Sequence, residues 1–163
     1  MFVLARAATY STLFIGLLLV FLPGQVLEWS GIVRPASVGF VGLSGIVLGI
    51  AGGAVALWCI LTFAVIGKGT PAPFDPPRRL VVRGPYRYVR NPMYLGAALA
   101  LAGAALFYRS LPLLGYVAGF LLITHLFVIA YEEPTLQRLF GADYRAYRDR
   151  VRRWLPSLAG FGG

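Results

Sequence analysis

From Val38 to Ile66 the chain runs for 29 residues without a charged side chain. A helix needs about 20 apolar residues to cross the hydrocarbon of a bilayer, so this run is long enough to span it with tilt or to project beyond it. Three further apolar runs share the chain with it: Ala7 to Leu22 with its extension through Pro23 to Leu27, Met93 to Tyr108, and Leu113 to Tyr131. Hydrophobic residues make up 58% of the sequence and charged ones 13%, with a mean hydropathy of +0.74. A soluble domain needs about 25% charged residues to cover its surface. The expectation is an all-α integral membrane bundle of about four transmembrane helices, closed by a C-terminal amphipathic interfacial helix, with residues 1–163 forming a single domain.

Small residues mark how such helices would meet. Gly45, Gly49 and Gly53 recur every four residues, as do Gly96, Ala100 and Ala104, and each set lies on one helical face where a neighbouring backbone can approach closely. The pattern suits packing inside the bundle, and it leaves the oligomeric state open. Arg6 precedes the first run as in a signal peptide, but no clear small-x-small cleavage pattern follows, and the run is read as a retained helix. Arg109 to Pro112 allows only a tight turn, making the last two spans a hairpin.

Charge placement orients the bundle. Of the 15 basic residues, Arg6, the six from Lys68 to Arg90 and the six from Arg138 to Arg153 fall on one side, against Arg34 and Arg109 on the other. The positive-inside rule puts both termini and the long loop in the cytoplasm. The net charge of +9 flanks apolar spans rather than forming a soluble basic domain, so anionic headgroups are the expected partner and nucleic acid is not. One cysteine, Cys59, and one histidine, His125, permit neither an internal disulfide nor a histidine or cysteine metal cluster.

Lys68 to Asn91 is the long non-apolar interior segment. Its opening, GKGTPAPFDPP, is too rich in proline and glycine for a regular helix, while Phe74, Leu80, Val81 and Val82 could anchor an ordered loop. It leads into RGPYRYVRNPMYLG, Arg83 to Gly96, which gathers Arg83, Arg87, Arg90, Tyr86, Tyr88, Tyr94 and Asn91 before Pro92 opens a helix. Two readings stand for this stretch: an aromatic and basic belt at the membrane surface, or the mouth of an active site. Glu132 and Glu133, on the same side, are either a solvated pair or ligands for an adenosine ribose or an amino group. At a helix C-terminus they would oppose the macrodipole. His125 lies seven residues before Glu132, on the same face of an ideal helix, and is either an interhelical hydrogen-bonding group or a functional one.

After the glutamates, Leu136, Leu139, Phe140, Tyr144, Tyr147 and Val151 form an apolar stripe, with arginines largely elsewhere and a bend expected at Gly141. The glycine-rich tail beyond Pro156 is expected to be mobile. No glycine-rich strand-to-helix nucleotide motif occurs.

The stretch LVVRGPYRYVRNPMYLG followed by EEPTLQRLFGADYRAYRDRVRRWLP resembles the integral membrane methyltransferases that include isoprenylcysteine carboxyl methyltransferases and phospholipid N-methyltransferases, over a core of residues 78–156. The resemblance implies an S-adenosylmethionine cofactor bound at the cytoplasmic face and a small lipophilic or lipid acceptor drawn from the bilayer. It implies cofactor contacts from Arg78, Arg79, Leu80, Val81, Tyr86, Asn91, Pro92, Met93, Tyr94 and Glu132. His125 and Glu133 are then candidates for the catalytic base on the acceptor side. Two departures stand out: Asn91 replaces the histidine common before the proline in the prenylcysteine enzymes, and Val128 stands where they place an arginine for the acceptor carboxylate. The rival readings are a non-catalytic lipid-binding scaffold and a nicotinamide-dependent membrane reductase.

Overall fold

The computed structural model describes residues 16–35, 37–67, 79–157 and 160–161. Arg78 and the proline-rich segment 68–78 lie outside them, as does the first run before Gly16. The regular elements among the described residues are all helices, with no strand. Helix α1 covers Gly16–Trp29, opening with a π-helical Gly16–Phe21. Helix α2 is Phe40–Thr62, extended by a π turn at Phe63–Gly67; α3 is Pro92–Tyr108; α4 is Leu111–Phe127; and α5 is Glu133–Arg150.

This bundle is arranged inside out relative to a soluble one. Leu43, Val47, Ile50, Leu57, Trp58 and Leu61 of α2 and Leu122, Ile123 and Leu126 of α4 face outward, while Gly42, Gly45 and Gly52 of α2 and Gly96, Ala97 and Gly103 of α3 are buried. Lipid tails are as apolar as leucine, so large side chains gain nothing by turning inward, and helix association rests on close packing. Phe40–Thr62, at 23 residues, and the 40-residue run Leu111–Arg150, kinked at Gly141, are long and apolar enough to cross a membrane; Gly16–Trp29 and Pro92–Tyr108 are apolar but shorter. The four expected spans are therefore represented by helices.

The tightest seam joins α2 to α3. A Cβ added at Gly45 would lie 2.6 Å from the Gly103 carbonyl oxygen; one at Gly52 would meet the backbone of Gly96 and Ala100; one at Gly96 would lie 2.8 Å from Gly52 O. The seam thus uses Gly45, Gly49 and Gly52 against Gly96, Ala100 and Gly103. Gly53, expected from its spacing of four, faces open space, and Gly103 rather than Ala104 makes the contact. The reason is helical geometry: at 3.6 residues per turn, a spacing of four followed by three stays closer to one line than two spacings of four.

The turn between α3 and α4 is closed by two residues. Arg109 takes the left-handed conformation at φ 51° to end α3, and the Ser110 hydroxyl caps α4 by accepting from Leu113 N at 3.1 Å. At the same end, Arg109 Nη2 approaches Gly39 at the start of α2. Helix α1 joins the bundle through Leu18 and Leu19, and Tyr116 of α4 donates to the Leu18 carbonyl at 2.9 Å.

The break after α4 is smaller than the sequence suggested. Pro134 sits within one continuous helical run, where it has no N–H to give and its ring crowds the carbonyl four residues back. The chain accommodates it with a π turn at Val128–Glu132, in which Glu133 N–H reaches Val128 O. The glutamates therefore lie inside a helix, and the expected conflict with a C-terminal dipole does not arise. Gly141, at φ 50° and ψ −115°, supplies the bend foreseen in α5.

The two glycine classes give a direct comparison. Gly103→Ala forces a methyl group into the backbone of α2 and should cost about 1–3 kcal/mol. Gly53→Ala, in open space, should be neutral or gain up to about 1 kcal/mol from helix propensity. Thermal unfolding in detergent will rank them; equal melting temperatures would show that the seam does not hold the bundle.

Candidate functional site

The site is assembled at the end of the bundle where α2 finishes, α3 begins and the π turn interrupts the α4–α5 run. From Arg79 to Arg83 the chain runs without regular secondary structure, with Arg83 extended, and is followed by a short 3-10 helix at Gly84–Arg87. Gly84, at φ +59°, fits against α2: a Cβ there would lie 3.0 Å from Thr62 Oγ1 and 3.3 Å from Trp58 Nε1. Alternating side chains in this segment divide between two clusters. Val81 packs with Cys59 and Tyr86 beneath the loop, whereas Leu80 and Val82 pack against Tyr144, Tyr147 and Val151. Arg79 is exposed.

Tyr86 is buried, with its ring edge-on to Phe63 at 5.1 Å and packed against Cys59 and Val81. Burial, with the nearby negative groups adding, holds the Tyr86 hydroxyl well above its ordinary proton affinity, so it is a neutral donor. The Tyr86 carbonyl in turn accepts from Tyr147 OH at 2.6 Å. The apolar stripe of α5 is thus largely spent on the protein itself: Tyr144, Tyr147 and Val151 are buried, Leu136 and Phe140 pack beside them, and Leu139 is exposed.

The two adjacent glutamates have opposite surroundings. Glu132 Oε2 accepts from Tyr94 OH at 3.2 Å, joining the π turn to the first turn of α3. Glu133 is gripped by Arg153, with Nε on Oε1 at 2.6 Å and Nη2 on Oε2 at 2.9 Å, and Arg90 Nη1 lies 3.3 Å from the same Oε1. Arg90 Nη1 also reaches Tyr144 OH at 3.4 Å. Glu132 stands one residue past the apolar run, and burial, aided by the charge of Glu133 and opposed by the Tyr94 hydrogen bond, pushes its carboxyl up to about 7. Burial works on Glu133 as well, but the Arg153 hydrogen bond and the Arg90, Arg153 and Arg148 charges outweigh it and hold it below the ordinary value. A carboxylate so held is a weaker base, which counts against Glu133 as the group that takes a proton.

Whereas Glu132 contacts α3, His125 contacts the C-terminal segment. Its Nδ1 accepts from Trp154 Nε1 at 2.9 Å, so the neutral ring carries its proton on Nε2. A spacing of seven returns to one face only in an uninterrupted α-helix, and the wider π turn lies between the two residues. Val128 is only 1% exposed and packs in the core with Tyr94 and Ala97. Valine offers no charge there, so this position does not supply the cation that the prenylcysteine enzymes place at it.

Asn91 is buried, and its side-chain amide donates to the Arg153 carbonyl at 3.2 Å. Pro92 follows as the first residue of α3, whose opening turn has no side-chain cap. Met93 packs between the core clusters. The tail beyond Pro156, expected to be mobile, is docked at its described residues: Ser157 N–H donates to Tyr88 O at 2.7 Å, Phe161 N–H to Arg87 O at 2.9 Å, and the Phe161 ring meets Tyr147 edge-on at 5.4 Å. Among the sequence-derived site residues, the structure brings together Tyr86, Asn91, Pro92, Met93, Tyr94, Glu132 and Glu133. Arg78 lies outside the described residues. Arg153 and Trp154 were not foreseen as site residues; a guanidinium and an indole ahead of a proline in a polar tail were the available signal.

A polar, charged constellation set on a lipid-facing helical bundle defines a membrane protein with a site at one end of its helices. Residues 40–143 match the family model described as phospholipid methyltransferase, and the chain belongs to that family of membrane methyltransferases. It is 44% identical to an uncharacterized protein of Haemophilus influenzae over 64 residues, which cover 39% of this chain and 100% of that protein. No solved structure matches it.

The carboxylate clamp has a pH signature. The folded-state proton affinity of Glu133 lies below its ordinary 4.5, so its stabilising contribution is complete above that value and is lost as pH falls through the folded one. Glu133→Gln should destabilise the protein by roughly 1–3 kcal/mol near neutrality, the scale of a lost charge-assisted hydrogen bond. Unfolding curves of the variant and the unmodified protein should converge in acid; a gap independent of pH would contradict the ion pairing.

Proposed function

We propose that this protein transfers the methyl group of S-adenosylmethionine to a lipophilic acceptor at the cytoplasmic face of the membrane. The observation that carries the reading is the Tyr94–Glu132 pair at the start of α3, beside a first turn without a side-chain cap and at the end of the bundle where basic residues gather. These groups fit the cofactor. Glu132 Oε1 accepts no hydrogen bond among the described residues and is suited to ribose hydroxyls or an amino group, and the free N–H groups of the α3 first turn are suited to a carboxylate.

When bound, the cofactor supplies an electrophilic methyl on a sulfonium. The chain's own contribution is alignment: Tyr86 and Met93 wall the site, Tyr94 fixes the Glu132 carboxylate, and Asn91 tethers the loop to the C-terminal segment. Arg79, Leu80, Val81 and Pro92 complete the cofactor side in this reading, with Arg78 assigned to it by resemblance alone. Pre-set orientation carries much of the rate in an in-line transfer. His125 remains on the acceptor side, held by Trp154 and offering Nε2. The acceptor is a lipid or small lipophile whose reacting group is an amine, thiol or phenol. A prenylcysteine carboxylate is disfavoured because α4 carries no arginine or lysine and Val128 is buried.

The cytoplasmic assignment rests on the charge asymmetry of the sequence, 13 basic residues on one side against Arg34 and Arg109 on the other. Tags at either terminus should be accessible only from the cytoplasm, and external labelling of both would reverse the orientation.

Cofactor binding tests the site. Glu132→Gln should weaken S-adenosylmethionine binding in detergent by about 1–3 kcal/mol. Because Glu132 is raised to about 7 and its ionised form is the better acceptor, affinity in the unmodified protein should rise with pH through that value and then level off. Calorimetry across this range should show the rise flattened in Glu132→Gln. No binding by the unmodified protein, or the same pH profile in both, would overturn the assignment.

A further inference from the structure

Residues 151–157 and 160–161 lie beyond the 40–143 stretch that the family model matches, yet they touch each part of the site. Arg152 O accepts from Arg90 N–H at 3.0 Å and Arg153 O from Asn91, while Ser157 and Phe161 donate to the Tyr88 and Arg87 carbonyls. Their side chains reach the other wall, Arg153 to Glu133 and Trp154 to His125. They form a strap that joins the loop before α3 to the α4–α5 run.

The strap's most specific contact falls beside the π turn. A π turn is a locally less stable helical form, and Val128–Glu132 differs from an α-helical alternative by one residue of register. Returning to α-helical register would rotate a side chain at this point by about 100°, taking Glu132 away from Tyr94. Glu133, the residue whose N–H closes the π turn on Val128 O, is the one gripped from the strap by both Arg153 nitrogens and from the loop by Arg90. A two-pronged guanidinium–carboxylate pair fixes orientation as well as charge.

We infer that Arg153 and Glu133 are positioning residues: through their ion pair the C-terminal strap holds the π turn in register and so aims Glu132 at the cofactor site. The effect on the cofactor rests on the proposed methyl transfer, whereas the hold on the π turn does not. Arg153 acts through Glu133 and touches no reacting atom.

The test uses the full-length protein in detergent with Arg153→Gln, Arg153→Lys and a strap control, Leu155→Ala, whose side chain is exposed. Hydrogen exchange at the Glu133 amide, measured without cofactor, reads the π turn directly. Arg153→Gln should accelerate it and weaken S-adenosylmethionine binding about tenfold, the low end for a lost charge-assisted contact. Arg153→Lys, which keeps the charge but not the two-pronged geometry, should fall between, and Leu155→Ala should match the unmodified protein in both readouts. Unchanged Glu133 exchange and affinity in Arg153→Gln, or equal losses in Leu155→Ala, would overturn the inference. Should Arg153→Gln fail to fold, Arg153→Lys decides alone, with unmodified values in both readouts sinking the idea. If the unmodified protein binds no S-adenosylmethionine while Arg153→Gln still frees the Glu133 amide, it is the proposed function that fails and the register role that stands.

Discussion

Everything at the site depends on how closely α2 and α3 approach. Their backbones meet where Gly45, Gly49 and Gly52 face Gly96, Ala100 and Gly103, and in a lipid environment such close packing replaces the hydrophobic drive that holds soluble helices together. The seam sets the end of α2 beside the start of α3. Gly84 can then settle against Thr62 and Trp58, and Tyr86 can turn down onto Cys59 and Phe63. A loop so anchored presents Arg90, Asn91 and Tyr94 in fixed positions.

The second constraint is a proline inside a helix. Pro134 disturbs the backbone of the Leu111–Arg150 run, and the chain answers with a π turn rather than a break. Two neighbouring carboxylates then separate in function: Glu132 meets Tyr94 in a buried setting that favours its protonated form, while Glu133 meets two arginines that favour its charge. Environments that push adjacent acids in opposite directions are a means of giving them different tasks. The C-terminal strap supplies one of the two arginines, which ties the tail of the chain to the register of the helix.

The sequence by itself determined the class of the molecule. Uncharged runs, small residues at helical spacing and clustered arginines specify an all-α membrane bundle because they depend only on local periodicity and transfer into lipid. The pair of motifs around Arg83–Gly96 and Glu132–Pro156 carried the methyltransferase resemblance, and the bend at Gly141 was visible in a single residue. What tertiary structure alone decided were contacts between residues distant in the chain: Arg153 on Glu133, Trp154 on His125, Phe161 on Tyr147, and the burial of Val128. Which of Gly52 and Gly53 faces the neighbouring helix, and whether a histidine and a glutamate seven residues apart share a face, turn on rotations of about 100° per residue. For the histidine and the glutamate, periodicity cannot resolve the rotation once a π turn changes the count, because the turn itself is selected by packing around Pro134 and the strap.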